Sequence, residues 1–321
     1  MDIFLLGGAG FFARNIFKDL VPHLPGGTTV TLGDYEYRPV RKIAKRQGDR
    51  YRARMMDLLD PTAFEEGVAD SDIIVSLAGP WYTTGEATIS GALSSGKPLV
   101  ITSTGVRDIP EIEGKAFLEK GISCISGTGL FPGGVEIISN GMARVRGEDS
   151  ASSASLQVNT WKYGGLAFIR EYFYLLSNQG PLVPAVVDKP CKWELTPKGV
   201  FQKMAAKKRE SSSMMRTEIL SVLQETLRPK PGYGNFQGIL LTLTFRDDEA
   251  EKNVLLGGES IKDLLTAMIG CAINAALEGP PGSHYLPDIY EQYDHDSMIR
   301  KQVEKIRSEI LNKSEIKNPK L

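Results

Sequence analysis

The sequence predicts an α/β protein with an N-terminal doubly wound parallel sheet and a second, smaller α+β domain built on a mixed sheet. Two observations predict this class. Over the first part of the chain, short apolar runs alternate with segments of helical periodicity, which is the pattern of βαβ units. After about residue 150, polar and apolar residues alternate instead, as they do in half-buried strands of mixed or antiparallel sheets.

The parallel sheet is expected to contain six strands. The runs of apolar or β-branched residues that we interpret as these strands are 3–6, 28–32, 51–56, 72–77, 98–103 and 121–126. The helical patterns between them are 12–24, 39–46, a segment beginning at Pro61, 84–95 and 110–120. Because parallel strands are joined by right-handed crossovers, this order of elements predicts helices on both faces of the sheet.

The second region contains two alternating segments, 155–160 and 238–245, which we interpret as strands. The basic segment 198–231 between them is interpreted as an exposed loop or a lid. The apolar stretch 264–277 is shorter than the roughly 20 residues that span a bilayer, so we expect a buried or interface helix there. A charged amphipathic helix is predicted over 297–312.

Composition excludes several classes of protein. The chain has 321 residues, of which 41% are hydrophobic, so it can bury a sizeable core. Its 38 Lys and Arg nearly balance its 39 Asp and Glu, which predicts no general attraction to nucleic acid or to an anionic membrane. Three dispersed cysteines and three dispersed histidines predict neither a disulfide framework nor a metal site. With no signal-peptide pattern at the N-terminus, we expect a cytoplasmic protein.

A glycine-rich turn directly follows the first predicted strand. Gly8, Gly10 and Ala13 fit the G-x-G-x-x-G/A fingerprint of Rossmann dinucleotide-binding domains. Gly8 permits the tight turn, Gly10 lets the backbone approach a pyrophosphate, and Ala13 keeps the helix close to the strand. The N-terminus of the following helix would hold the phosphates. We therefore expect NAD or NADP at this end of the sheet.

The end of the second strand bears on the choice of cofactor. Asp34 stands 21 residues after Ala13, close to the place where an acid binds the ribose hydroxyls of NAD and repels a 2′-phosphate. Arg38, Arg41 and Lys42 follow and are able to bind that phosphate instead, or to form a solvated helix face. NAD is slightly favoured. Asp57, at the end of the third strand, is assigned either to the adenine or to a turn.

Three further strand-end motifs carry a family resemblance. They are DIIVSLAGPWY at 72–82, PLVITSTG at 98–105 and GISCISGTGLFPGG at 121–134. With the fingerprint, they resemble the saccharopine dehydrogenase-like oxidoreductases over about 135 residues. The resemblance implies NAD(P)H-dependent reduction of an imine formed from an amino acid and an aldehyde, or of another double bond. The chain departs from the family at 102–106, which reads TSTGV and lacks the usual acidic residue.

Ligands of open α/β sheets bind outside the carboxyl ends of the strands, so these loops are expected to share one crevice. The residues assigned to the cofactor are Gly7, Gly8, Gly10, Phe11, Phe12, Ala13, Asp34, Tyr35, Arg38, Asp57, Ala78, Gly79, Pro80, Thr102, Ser103, Thr104 and Gly127. Those assigned to the substrate are Trp81, Tyr82, Phe131, Lys162 and Arg170, with interdomain packing an equal alternative for Trp81. The candidate proton donors are Tyr82, Thr104, Lys162, Tyr163 and His284.

The domains are accordingly predicted as a dinucleotide-binding domain over 1–148, a substrate and dimerisation domain over 149–278 and a flexible tail over 314–321. Helices over 279–313 are expected to be able to return to the first domain. We expect a homodimer whose partner is a small-molecule substrate, with no nucleic acid or membrane. Hydride transfer to or from a C=N bond of an amino-acid-like metabolite is favoured. Reduction of an activated C=C bond and non-catalytic NAD(P) sensing are the alternatives.

Overall fold

The computed structural model describes residues 1–102, 111–130, 133–146, 153–158, 185–186, 189–190, 192–197, 239–246, 251–256 and 258–313. They form two compact units. The first contains Met1–Gly134 and Leu265–His295, and the second contains most of the remaining described residues. The boundaries therefore fall at residue 134 and inside the long helix near residue 264. The domain limits expected from the sequence, at 148 and 278, stay predictions.

The first unit is built on a seven-stranded parallel sheet. Its strands are β1 (Asp2–Leu6), β2 (Thr29–Asp34), β3 (Tyr51–Met55), β4 (Ile73–Ser76), β5 (Leu99–Ile101), β6 (Ser123–Ser126) and β13 (Gly282–Tyr285). The strand order is β13-β6-β5-β4-β1-β2-β3, and every pairing is parallel. The order reverses beside β1, which is the switch point of a doubly wound Rossmann sheet. The predicted fold class is confirmed.

The helices between these strands are α1 (Phe11–Leu20), α2 (Tyr37–Gln47), α3 (Pro61–Val68), α4 (Trp81–Ser95) and α5 (Glu111–Glu119). Local signals explain their ends. Asp60 caps α3, because its side chain accepts hydrogen bonds from Thr62 N at 3.0 Å and Ala63 N at 3.3 Å. Gly96 ends α4 in the left-handed region at φ 64°.

The two helices that flank β3 in sequence cover opposite faces of the sheet. Tyr51 in β3 donates to the carbonyl of Phe17 in α1, so its side chain points to the face that α1 and α2 cover. On the other face, the Phe64 ring of α3 lies against Gly91 of α4, and Phe4 of β1 belongs to the same apolar cluster. Both faces of β1 are covered, since Ile3, Phe4 and Leu5 are fully buried, which is why the strand is continuously apolar.

Three expectations need correction here. The seventh strand, β13, was missed, because its four residues GSHY show neither β-branched content nor alternation. Helix α4 begins at Trp81 rather than at residue 84, because the preceding Pro80 ends the extended loop. Trp81 and Tyr82 are therefore the first residues of a helix, not part of the loop after β4. The 98–103 strand is also shorter than expected, as β5 covers Leu99–Ile101.

The second unit contains a four-stranded mixed sheet of order β10-β7-β11-β12. Its strands are β7 (Ser153–Val158), β10 (Lys192–Pro197), β11 (Ile239–Arg246) and β12 (Glu251–Leu256). A two-stranded ribbon is formed by β8 (Ala185–Val186) and β9 (Lys189–Pro190). Strands β10 and β7 are parallel, and the other pairings are antiparallel. The predicted mixed sheet and its two alternating strands are confirmed.

The remaining helices are α6 (Gly134–Arg146), α7 (Gly258–Glu278), α8 (Leu286–Tyr293) and α9 (Met298–Lys313). Within α7, Glu259–Glu278 is long and apolar enough by composition to cross a membrane, but 72% of its apolar window is buried inside the protein. The core of a soluble protein passes the same test. Segment 198–231 and the tail 314–321 lie outside the described residues.

Candidate functional site

The glycine loop between β1 and α1 is held against β2 by its own backbone. Gly7 N and Gly8 N both donate to the carbonyl of Gly33 at 3.0 Å, and Gly10 N donates to Gly7 O at 2.8 Å. A Cβ on Gly8 would lie 2.8 Å from Leu32 Cβ, and one on Gly10 would lie 2.9 Å from Gly7 O. Glycine is therefore required at both positions. No side chain caps the N-terminus of α1, so its N–H groups are suited to an anion.

Asp34 lies directly beside this loop. One oxygen of its carboxylate accepts a hydrogen bond from Ala9 N at 3.0 Å, and the other accepts one from Glu36 N at 3.0 Å. The carboxylate is thus oriented at the carboxyl end of β2, the position expected for an acid that binds ribose hydroxyls. Tyr35, which follows it, is 73% exposed, and Arg38 is also exposed.

Asp57 was assigned either to the adenine or to a turn, and the structure shows its turn interaction. Its exposed carboxylate accepts a hydrogen bond from Leu59 N at 3.0 Å, and its carbonyl accepts one from Asp60 N at 3.2 Å. These bonds close the turn that leads into α3.

The loop after β4 packs on the glycine loop. A Cβ on Gly7, whose φ is 77°, would lie 3.0 Å from the Cα atom of Ala78, and Leu77 N donates to Leu6 O at 3.0 Å. Thr84 holds the loop from within α4, because its hydroxyl donates to the carbonyls of Ala78 and Pro80 at 3.4 and 3.2 Å. Ala78 thus lies against Gly7, and the cofactor roles assigned to Ala78, Gly79 and Pro80 stay predictions.

The aromatic pair after Pro80 separates into a packed ring and an exposed one. Trp81 covers Gly85, whose Cβ would lie 2.6 Å from an indole carbon, and the indole packs on the apolar cluster under α3 and α4. Trp81 therefore packs within the first unit, whereas substrate contact and interdomain packing, the two roles weighed for it, stay predictions. Tyr82 is 48% exposed in the first turn of α4.

Two threonines join the ends of β4, β5 and β6. The Thr102 hydroxyl donates to Ser76 O at 2.7 Å, and the buried Thr128 hydroxyl donates to Ile101 O at the same distance. Gly127 stands between β6 and Thr128 with φ 72°. The neighbouring loop is tight, since Gly134 N donates to Gly129 O at 3.0 Å. These bonds fix the crevice edge of three adjacent strands.

Tyr285 is the residue at this edge that the sequence did not single out. It ends β13, pairs in register with Ser126 and is 7% exposed. A Cβ on Gly127 would overlap its ring and would lie 3.1 Å from Pro287 Cδ. His284, the neighbour that was singled out, lies in β13, and its Nε2 atom is 2.8 Å from Pro280 O. Its catalytic role stays a prediction.

The substrate side of the candidate site is not covered by the described residues. Ser103, Thr104, Phe131, Lys162, Tyr163 and Arg170 all lie outside them, and their assigned roles stay predictions. Among the described residues, no group of three or more His, Cys, Asp or Glu is placed to hold a metal ion. Burial raises the thiol pKa of both Cys124 and Cys271 far above its usual value, so these thiols are poor nucleophiles.

Comparison with known proteins gives a fold and no family. The fold is similar to that of a yeast saccharopine dehydrogenase. The apo L-Glu-forming enzyme from Saccharomyces cerevisiae matches with a TM-score of 0.55 at 14% identity, over 96% of this chain and 97% of that one. A dipicolinate-bound dihydrodipicolinate reductase from Paenisporosarcina sp. TG-14 matches with a TM-score of 0.46 at 9% identity, over 90% and 99%. No family model and no curated protein sequence matches the chain.

Proposed function

We propose that the protein is an NAD(P)-dependent oxidoreductase. One observation carries this proposal: a glycine loop that tolerates no side chain stands between the switch-point strand and an uncapped helix, with the Asp34 carboxylate 3.0 Å from Ala9 N. Backbone N–H groups for a pyrophosphate and an acid for the adenosine ribose are thereby brought to one edge of the sheet. The fold that the chain shares with a saccharopine dehydrogenase over its whole length supports the proposal.

The preferred cofactor is NAD. A 2′-phosphate would be placed beside the Asp34 carboxylate, and two anions at hydrogen-bonding distance repel one another. The competing residue is Arg38, which is exposed in the first turn of α2 and is the cation best placed to accept that phosphate. Asp34→Asn removes the repelling charge and retains the acceptor oxygen. It should therefore raise NADPH affinity relative to NADH affinity by about tenfold.

The favoured reaction is hydride transfer to or from a C=N bond of a small amino-acid-like metabolite. The bound dinucleotide supplies or accepts the hydride, which in the reducing direction goes to the imine carbon while the nitrogen gains a proton. The chain orients the two reactants at the strand ends. Tyr82 is proposed as one proton donor because it is exposed beside this crevice. Thr104, Lys162, Tyr163 and His284 are the alternatives.

The first experiment is a fluorescence titration with NADH and NADPH. Gly10→Glu places a carboxylate in the loop, and its Cβ atom would lie 2.9 Å from Gly7 O. This variant should therefore bind neither cofactor. Gly26→Glu is the matched control, because it makes the same change where nothing lies within 4 Å. Unchanged binding by Gly10→Glu would disprove the cofactor assignment. If the unaltered protein binds NADPH more tightly than NADH, Arg38 rather than Asp34 decides the cofactor preference.

Turnover separates an enzyme from a sensor. The purified protein, proposed to be a cytoplasmic homodimer, is incubated with NADH, an amino acid and a series of aldehydes or 2-oxo acids, and NADH oxidation is followed. Oxidation dependent on both the amine and the carbonyl supports imine reduction. Oxidation with an α,β-unsaturated acid would favour the C=C alternative. Tight cofactor binding without turnover of any acceptor would favour a non-catalytic regulator, which the missing acid at 102–106 also permits.

A further inference from the structure

The exposed side of α2 is a strongly charged surface of the first unit. Its five cations, all of them exposed, are Arg38, Arg41, Lys42, Lys45 and Arg46, and the helix carries no acid. The apolar side of the helix packs into the protein interior, since Val40 and Ala44 are buried. Within the part of the chain that the structure describes, the five side chains form no hydrogen bond or ion pair.

The helix on the opposite face of the sheet beside β3, α3, lies in an acidic segment. The segment that follows β3 contains six acids and no base: Asp57, Asp60, Glu65, Glu66, Asp70 and Asp72, each of them exposed. Since α2 and α3 cover opposite faces, the first unit has a basic side and an acidic side next to each other at the β3 edge. A chain of net charge −1 therefore carries a strong local field that its overall charge does not reveal.

The position of the basic side relates it to the glycine loop. Helix α2 begins at Tyr37, three residues after Asp34, so its amino end lies at the carboxyl edge of the sheet and its carboxyl end lies about 16 Å away. Arg38 is four residues from Asp34 and is the nearest of the five cations in the chain to a ligand held there. By the rise of the helix, the other four lie about 4 to 12 Å further along its axis, so their field is the interaction with the ligand that all four share.

We propose that α2 is an electrostatic guide that speeds the encounter of the anionic dinucleotide with the glycine loop, and that it does so more strongly for NADP(H) than for NAD(H). This inference rests on the proposed function. Clefts flanked by one sign of charge raise the association rates of oppositely charged ligands by tenfold or more. The surface affects the association rate constant, whereas Asp34 affects how long a 2′-phosphate stays bound. The basic helix and the Asp34 carboxylate, which favour opposite cofactors, thus act on different rate constants.

The test is stopped-flow fluorescence of NADH and NADPH binding to full-length Arg41→Gln/Lys42→Gln. Glutamine keeps the helix propensity of the replaced residues. Removing two positive charges that act on the NADH dianion from about 15 Å should slow its association about threefold in about 10 mM salt. The association of NADPH should slow about tenfold, because NADPH carries about two further negative charges. Dissociation rates should not change, and the difference should vanish in about 0.5 M salt.

Arg50→Gln/Lys120→Gln is the matched control. It makes the same change in net charge at two exposed cations that precede β3 and β6, at the amino edge of the sheet and so at the edge opposite the glycine loop. It should slow association by less than about 1.5-fold. Three results would overturn the guide while leaving the cofactor assignment intact. They are an equal loss of association rate in both variants, an association rate that does not depend on salt, and a faster dissociation in place of a slower association. If neither cofactor binds the unaltered protein, the proposed function fails, and this inference fails with it.

Discussion

The contact between Gly127 and Tyr285 leads to a sharp prediction for Gly127→Ala. Gly127 has φ 72°, which alone costs alanine about 1–2 kcal/mol. Its Cβ would also overlap the Tyr285 ring, coming 2.6 Å from Cδ2, and would meet Pro287 Cδ at 3.1 Å. The ring cannot retreat freely because Tyr285 is 7% exposed. Overpacking of this kind costs about a further 1–3 kcal/mol, so the total loss is about 2–5 kcal/mol.

Gly121→Ala provides the matched control. Gly121 has φ 69°, almost the same backbone conformation, but nothing lies within 4 Å of its Cβ position. This variant should lose only the stability that the left-handed backbone conformation costs alanine, about 1–2 kcal/mol. Urea unfolding followed by circular dichroism compares the two variants, provided that the slopes of their transitions agree. The difference between their losses of stability measures the contacts with Tyr285 and Pro287 together.

Tyr285→Ala tests the cause directly. In that background, Gly127→Ala should lose little more stability than Gly121→Ala does, because the obstructing ring is gone and only the 3.1 Å contact with Pro287 Cδ remains. Equal losses by Gly127→Ala and Gly121→Ala in the unaltered background would refute the reasoning. So would a Gly127→Ala loss that persists undiminished after Tyr285 is removed. Either result would mean that the crevice end of β13 does not constrain the loop after β6.

Further predictions concern a cap, the glycine loop and the thiols. Asp60→Ala removes the two hydrogen bonds at the start of α3 and should lower the unfolding free energy by about 0.5–2 kcal/mol in a urea titration. Asp60→Asn keeps an acceptor oxygen and should retain most of the stability that the cap contributes. Gly8→Ala forces Leu32 away from a 2.8 Å contact and should weaken NADH binding at least tenfold in the fluorescence titration, and unchanged affinity would argue against a constrained loop. Because burial raises the thiol pKa of Cys124 and Cys271, both thiols stay protonated at pH 8. Mass spectrometry should find them unmodified by iodoacetamide until urea unfolds the protein.

Much of the first unit was predictable because its signals are local. Strands buried on both faces are continuously apolar, and the glycine loop needs glycine for reasons confined to a few residues. The edge on which residues 78–80 and 102 would meet Gly8 followed from parallel topology alone. The seventh strand was not predictable in this way. Strand β13 is four residues long, and its pairing with β6 joins positions far apart in the sequence.

The pattern of residues thus determined the doubly wound class, the cofactor edge and the acid at the end of β2. It could not determine which neighbours fill the crevice edge, because such contacts depend on side chains brought together from distant segments. Only the tertiary structure shows that Trp81 packs on its own helix, that Asp57 closes a turn, and that Tyr285 rather than His284 presses on Gly127. It also places a basic helix and an acidic helix on opposite faces of a nearly neutral chain, since handed crossovers, not charge, decide which face each helix covers.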